Sequence, residues 1–122
     1  MLLDTYAWVE FFNGTKKGET VKRVLREETC FTSAISIAEL SYWAERKGFR
    51  IKDVMAKVGQ YSSVLSLDEN ILELAGALKV FKRETEKSFG LIDSIILAHA
   101  KLLGLKVVTG DRHFEKENAV ML

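Results

Sequence analysis

Short apolar runs alternate with longer amphipathic stretches along the whole chain. A parallel sheet covered by helices on both faces satisfies that alternation best. Met1-Leu2-Leu3, Cys30 to Ile35, Val64 to Leu67, Lys106 to Thr109 and Ala119 to Leu122 read as strands, each too short for a helix. Thr5 to Phe12 reads as a helix apolar at nearly every position, ended by Asn13-Gly14. Lys16 to Glu27 is a basic amphipathic helix with Val21, Val24 and Leu25 inward, and Ser36 to Lys47 is a helix stopped by Gly48. Ile51, Val54, Met55 and Val58 keep the i, i+3, i+4, i+7 spacing of a short helix. Asp68 is a good N-cap for a long helix to about Lys87, and Leu91 to Leu103 forms another before Gly104. Gly110 to Lys116 reads as a turn with a short helix. The expected architecture is a three-layer α/β/α sandwich with a mainly parallel central sheet, one domain over residues 1–122. Ligands in such sheets bind beyond the carboxyl ends of the strands.

Composition narrows the function classes. The formal net charge is +1, so bulk electrostatics does not draw this chain to a polyanion; local basic patches or bound cations must do so. The single cysteine, Cys30, forbids an internal disulfide and fits a reducing, cytoplasmic setting, as a small core residue rather than a nucleophile. Met1-Leu2-Leu3-Asp4 lacks a basic leader region, and no apolar run reaches the roughly 18 residues of a membrane span.

Four carboxylates stand in awkward places. Asp4 follows the first strand and Asp111 the fourth, both on the edge where ligands bind. Each also suits a plain helix cap. Asp93 heads an apolar stripe of Ile96, Leu97 and Ala100, and Glu39 shares a face with Tyr42 and Trp43. A carboxylate on an apolar face is costly unless paired, although a basic partner would satisfy either one and the helix dipole would serve Asp93 in its first turn. Together, four acids at one edge repel each other and raise their own pKa values. A hard divalent cation such as Mg²⁺ or Mn²⁺ removes that cost, and two such ions serve phosphodiester cleavage.

The motifs Leu2-Leu3-Asp4-Thr5, Ser36-Ile37-Ala38-Glu39-Leu40, Leu91-Ile92-Asp93-Ser94-Ile95-Ile96-Leu97-Ala98 and Val107-Val108-Thr109-Gly110-Asp111-Arg112-His113-Phe114 stand in order along nearly the whole chain. In this the chain resembles the PIN domains, and more narrowly the VapC-type toxins of VapBC toxin–antitoxin pairs. The resemblance implies a metal-dependent endoribonuclease that leaves 5′-phosphate and 3′-hydroxyl ends, a VapB-like antitoxin partner and a homodimer. It assigns catalysis and metal coordination to Asp4, Glu39, Asp93 and Asp111, with Thr5 and Thr109 as polar supports. One departure is the Tyr42-Trp43 pair, where the family's second motif often continues with glycine.

Other residues carry less. Two histidines, His99 and His113, lack the spacing of a zinc site. The bases of the Lys16–Glu27 helix read as a solvated face. Arg46, one turn beyond Tyr42-Trp43, is the expected contact to an RNA backbone. Trp8, Phe11, Phe12 and Trp43 are expected to form an apolar groove for a partner helix. Two rival functions stay open: a catalytically inactive PIN-like module that binds RNA or protein, and a DNA-directed nuclease, for whose extra arch 122 residues leave no room.

Overall fold

The computed structural model describes residues 1–122. The elements run in the order β1 (Leu2–Leu3), α1 (Thr5–Asn13), α2 (Lys16–Glu27), β2 (Phe31–Ser33), α3 (Ala34–Lys47), α4 (Ile51–Tyr61), β3 (Ser63–Leu65), α5 (Glu69–Arg83), α6 (Leu91–Leu103), β4 (Val107–Thr109), a 3-10 turn (Arg112–Phe114) and β5 (Ala119–Met121). The five strands lie in the order β3-β2-β1-β4-β5, and every pair is parallel. The expected α/β/α sandwich is therefore present, with a sheet wholly rather than mainly parallel. No helix is long and apolar enough to cross a membrane.

The chain builds outward from β1 to β2 and β3, then crosses to the other side of β1 for β4 and β5. Right-handed crossovers accordingly put α1 to α4 on one face and α5 and α6 on the other. Two cores follow. Leu3 joins Trp8, Val21, Leu25, Leu40, Val58 and Val108, whereas Leu2 joins Phe89, Ile96, Leu97, Val107 and Phe114. Adjacent residues of β1 thus anchor opposite layers, as the period of two requires.

Element boundaries moved where local capping outweighed the apolar pattern. The spacing predicts a strand over 30–35, but Ser33 caps the next helix through its side chain, so β2 ends there and α3 starts at Ala34. Cys30 is buried just ahead of β2, its Sγ turned to the Val24 and Glu28 carbonyls. The third strand is displaced to Ser63–Leu65, and α5 ends at Arg83, short of Lys87.

Of the four aromatics expected to line a groove, only three reach the surface. Trp8 is fully enclosed, and its indole Nε1 donates to Thr32 Oγ1 at 3.0 Å. Thr32 Oγ1 in turn meets Ser62 Oγ at 2.7 Å, and Ser62 Oγ donates to the Val58 carbonyl at 2.7 Å. That relay ties α1, β2 and α4 together inside the core. Phe11, Phe12 and Trp43 are half-buried against it.

Helices α1 and α2 touch through Gly18. A Cβ there would lie 2.1 Å from the Glu10 carbonyl oxygen. Gly18→Ala is expected to lower stability by about 2 kcal/mol or more, through backbone overlap that no rotamer relieves. Gly59, on the exposed side of α4 with nothing within 4 Å of its missing Cβ, is the control. Gly59→Ala is expected to raise stability by about 0.5–1 kcal/mol. Urea unfolding of both variants checks the pair; equal midpoints would contradict the close approach.

Candidate metal centre

The strand order reverses between β1 and β4, and there the carboxyl ends of adjacent strands splay apart above the sheet. A cleft of about 470 Å³ opens at that place, lined by Asp4, Thr5, Glu39, Asp93, Asp111 and Arg112 among others. All four acids expected from the sequence share it.

Three of those acids are also caps, so one placement both caps a helix and lines the cleft. Asp4 caps α1, its Oδ1 accepting from Ala7 N at 2.8 Å, while Oδ2 accepts from the Thr109 hydroxyl. Asp93 Oδ2 accepts from Gly90 N at 3.0 Å at the head of α6. Asp111 Oδ1 accepts from His113 N at 2.9 Å at the head of the 3-10 turn. A strand that stops and a helix that starts need an acceptor at the junction. For Asp4 and Asp111 those junctions lie at the carboxyl ends of β1 and β4, whereas Asp93 follows the loop between α5 and α6.

Two threonines hold the cluster. Thr109 Oγ1 donates to Asp4 Oδ2 and accepts from Asp111 N at 2.9 Å, joining the ends of β1 and β4. Thr5 Oγ1 donates to Glu39 Oε1 at 2.5 Å. Gly110 lets the wall close: a Cβ there would meet the Tyr6 ring at 2.2 Å. The Tyr6 hydroxyl is held by Lys17 Nζ at 2.9 Å.

The tightest convergence differs from the four expected acids. Ligand atoms of Asp93, Asp111 and His113 all lie within 4.8 Å of one another, while Asp4 and Glu39 are outside that group and are held by Thr109 and Thr5. His113 follows Asp111 closely enough in sequence to look like a ligand or base, but only the tertiary structure brings its ring to both Asp93 and Asp111. Arg46 lies over the Tyr42 ring at 5.4 Å and is not among the cleft's lining residues; Arg112 is. His99 is buried on α6, its Nε2 3.4 Å from the Ser66 carbonyl, where burial lowers its pKa.

Electrostatics sets the cluster apart from ordinary caps. Burial pushes the Asp4 carboxyl up to about 7, against the opposing hydrogen bonds from Thr109 and Ala7 and with further help from the charges of Asp111 and Asp93. Burial also raises Asp93; the Gly90 N–H opposes this and the Asp111 charge adds to it. Without a cation, such carboxylates are strained when ionised.

The PIN domain family matches residues 1–118. The chain belongs to the PIN domain family. Among solved structures it is similar to a toxin–antitoxin complex from Klebsiella pneumoniae, at 25% identity and TM-score 0.76, over 98% of this chain and 95% of that one. It is also similar to a DNA-bound VapBC from Salmonella typhimurium, at 25% identity and TM-score 0.72, over 99% and 95%. The fold is shared with Mycobacterium tuberculosis VapC20, described as a sarcin–ricin loop cleaving toxin, at 19% identity and TM-score 0.76, over 99% and 97%. No curated protein sequence matches. PIN domains are metal-dependent nucleases, and in this one Asp93, Asp111 and His113 form a group that could hold a metal ion.

A raised carboxyl binds its proton more tightly folded than unfolded. Its contribution to stability is therefore complete below pH 3.8 and is lost as the pH rises through about 7. In EDTA, the wild-type protein is expected to lose on the order of a few kcal/mol across that window from Asp4. Asp4→Asn is expected to flatten the loss. Denaturant unfolding between pH 4 and 8 checks it, and parallel pH profiles for the two proteins would contradict the buried, strained carboxyl.

Proposed function

We propose that this PIN domain is an endoribonuclease of the VapC toxin kind, cutting RNA with divalent cations held by Asp4, Glu39, Asp93 and Asp111. The observation that carries this reading is the gathering of those four acids in one cleft at the strand switch point, with Asp4 and Asp93 both disfavoured as bare anions. The donor set fits a hard cation: it is mostly carboxylate oxygen, open to solvent on one side and fixed by hydrogen bonds from behind. Mg²⁺ or Mn²⁺ is the ion class this set favours. Bound there, a divalent cation supplies positive charge where negative charge builds on a phosphodiester being cut.

The chain's own residues do the rest. Thr109 holds Asp4 and the Asp111 backbone in fixed relation, and Thr5 holds Glu39, so the acids need not reorganise when substrate arrives. Arg112, almost fully exposed at the cleft mouth, is placed to meet a phosphate beside the scissile one. By likeness to the VapBC complexes, a VapB-like antitoxin is the partner, with the half-buried Phe11, Phe12 and Trp43 as the apolar contact on this chain. A homodimer fits the exposed Leu72, Val80 and Phe81 of α5. The non-cutting alternative has no observation in its favour.

Asp93→Asn removes one charge and keeps the shape. In EDTA its melting temperature is expected to equal or exceed that of the wild type, because repulsion with Asp111 falls. The stabilisation by Mn²⁺ is expected to shrink, and RNA cleavage to fall by about 100-fold or more. Glu27→Gln, an exposed acid at the end of α2, is the control and should match wild type in every assay. Cleavage of labelled RNA at wild-type rate by Asp93→Asn would overturn the catalytic assignment. For the substrate path, Arg112→Gln is expected to weaken RNA binding and reduce the log–log salt slope by about 1. If Arg46→Gln has that effect and Arg112→Gln has none, the RNA runs along α3 instead.

A further inference from the structure

His113 stands beside the cleft, against Asp111, with its two ring nitrogens in different surroundings. Nε2 lies 2.7 Å from Ser88 Oγ, in the loop that leads into α6. Nδ1 is shut off from solvent, 2.9 Å from Asp111 Oδ1, but no group is aligned to share a hydrogen bond with it. The Phe89 ring stands edge-on to the imidazole at 6.0 Å and 83°, restricting its plane. A hydroxyl on the outer nitrogen, a free inner nitrogen and a fixed plane are how a metal-ligating histidine is prepared. With Ser88 accepting from Nε2–H, the lone pair is left on Nδ1, beside the Asp111 carboxylate.

The spacing agrees. Donors about 2.1 Å from one ion and at right angles to each other lie about 3.0 Å apart. The 2.9 Å separation of His113 Nδ1 and Asp111 Oδ1 is such an edge, and the Asp93 oxygen completes a group within 4.8 Å. An aspartate–histidine contact of this length also suits a protonated imidazole paired with Asp111. That rival makes a different forecast for the bound ion.

Resting on the divalent-metal reading of this cleft, we infer that His113 Nδ1 is a direct metal ligand beside Asp93 and Asp111, oriented by Ser88, and that it biases the site toward transition ions such as Mn²⁺ over Mg²⁺. Carboxylates alone discriminate little between those two ions, whereas an imidazole nitrogen favours the softer one. Ser88 is a positioning residue, acting through the ring.

The test loads tag-free protein with one equivalent of Mn²⁺ and records pulsed electron paramagnetic resonance. Wild type is expected to show nitrogen modulation from a coordinated imidazole, and His113→Gln to show none. His99 is retained in both proteins and sits away from the cleft, so it does not confuse the assignment. By calorimetry, His113→Gln is expected to weaken Mn²⁺ binding by about 10-fold or more while changing Mg²⁺ binding far less, and Ser88→Ala to do the same more mildly. The wild-type spectrum stands even if a variant folds poorly. Bound Mn²⁺ without nitrogen modulation, in a site that Asp93→Asn weakens, overturns the histidine ligand and leaves the metal cleft intact. Mn²⁺ that binds no differently to Asp93→Asn, or fails to bind wild type, overturns both.

Discussion

Everything at the cleft depends on β1, a strand of two residues held on both edges. Leu2 pairs with Phe31 and Val107, and Leu3 with Thr32 and Val108. Both leucines are fully buried, one in each core, worth roughly 1.5–3 kcal/mol apiece against leaving them in water. So short a strand persists only because it sits at the sheet's centre, with both rows of backbone groups satisfied. Its brevity has a functional consequence. The chain turns into α1 directly after Leu3, so Asp4 falls at the mouth of the crevice between β1 and β4, within reach of Thr109.

From that anchor the site follows as a set of junctions. Asp4, Asp93 and Asp111 each stand at the head of a helix or helical turn, and each spends a carboxylate oxygen on a backbone N–H there. Capping restricts the rotamer, and the fold aims the junctions at one place. The same contacts that stabilise helix starts therefore preorganise the acids. The two demands conflict only in charge. Burial makes Asp4 and Asp93 hold their protons more tightly than usual, and a cation or a proton is needed to relieve them. Stability and ion binding are coupled through the same side chains.

The other side of α6 shows the opposite solution to burying charge. Lys82 is buried, paired with Glu117 and placed over the Phe89 ring at 5.3 Å, so its ammonium is compensated within the protein. Phe89 also flanks His113 and packs near Phe114 at 5.5 Å. The loop from Arg83 to Gly90, at which α5 was expected to continue, thus serves as a frame for the cleft. It brings Ser88 to His113 and the Gly90 N–H to Asp93.

The sequence by itself determined the layer architecture and the four acids. Hydrophobic period and break residues located every helix, because periodicity is a local property read within a few turns. Asp93 and Glu39 stood out because a charge on an apolar face is costly wherever the chain goes. Only the tertiary structure decided which donors converge. His113 carries only a weak sequence signal, its closeness to Asp111, since nothing local says that the loop before α6 returns to hold its ring through Ser88, 25 residues away. Arg112 replaced Arg46 at the cleft for a related reason: α3 runs away from the sheet edge, while the turn after β4 stays on it. The all-round apolar helix of Trp8 does not say which face is buried; its burial depends on Thr32 accepting the indole N–H from a strand 24 positions later. Local chemistry fixes which residues are costly to leave alone; chain crossing fixes which of them meet.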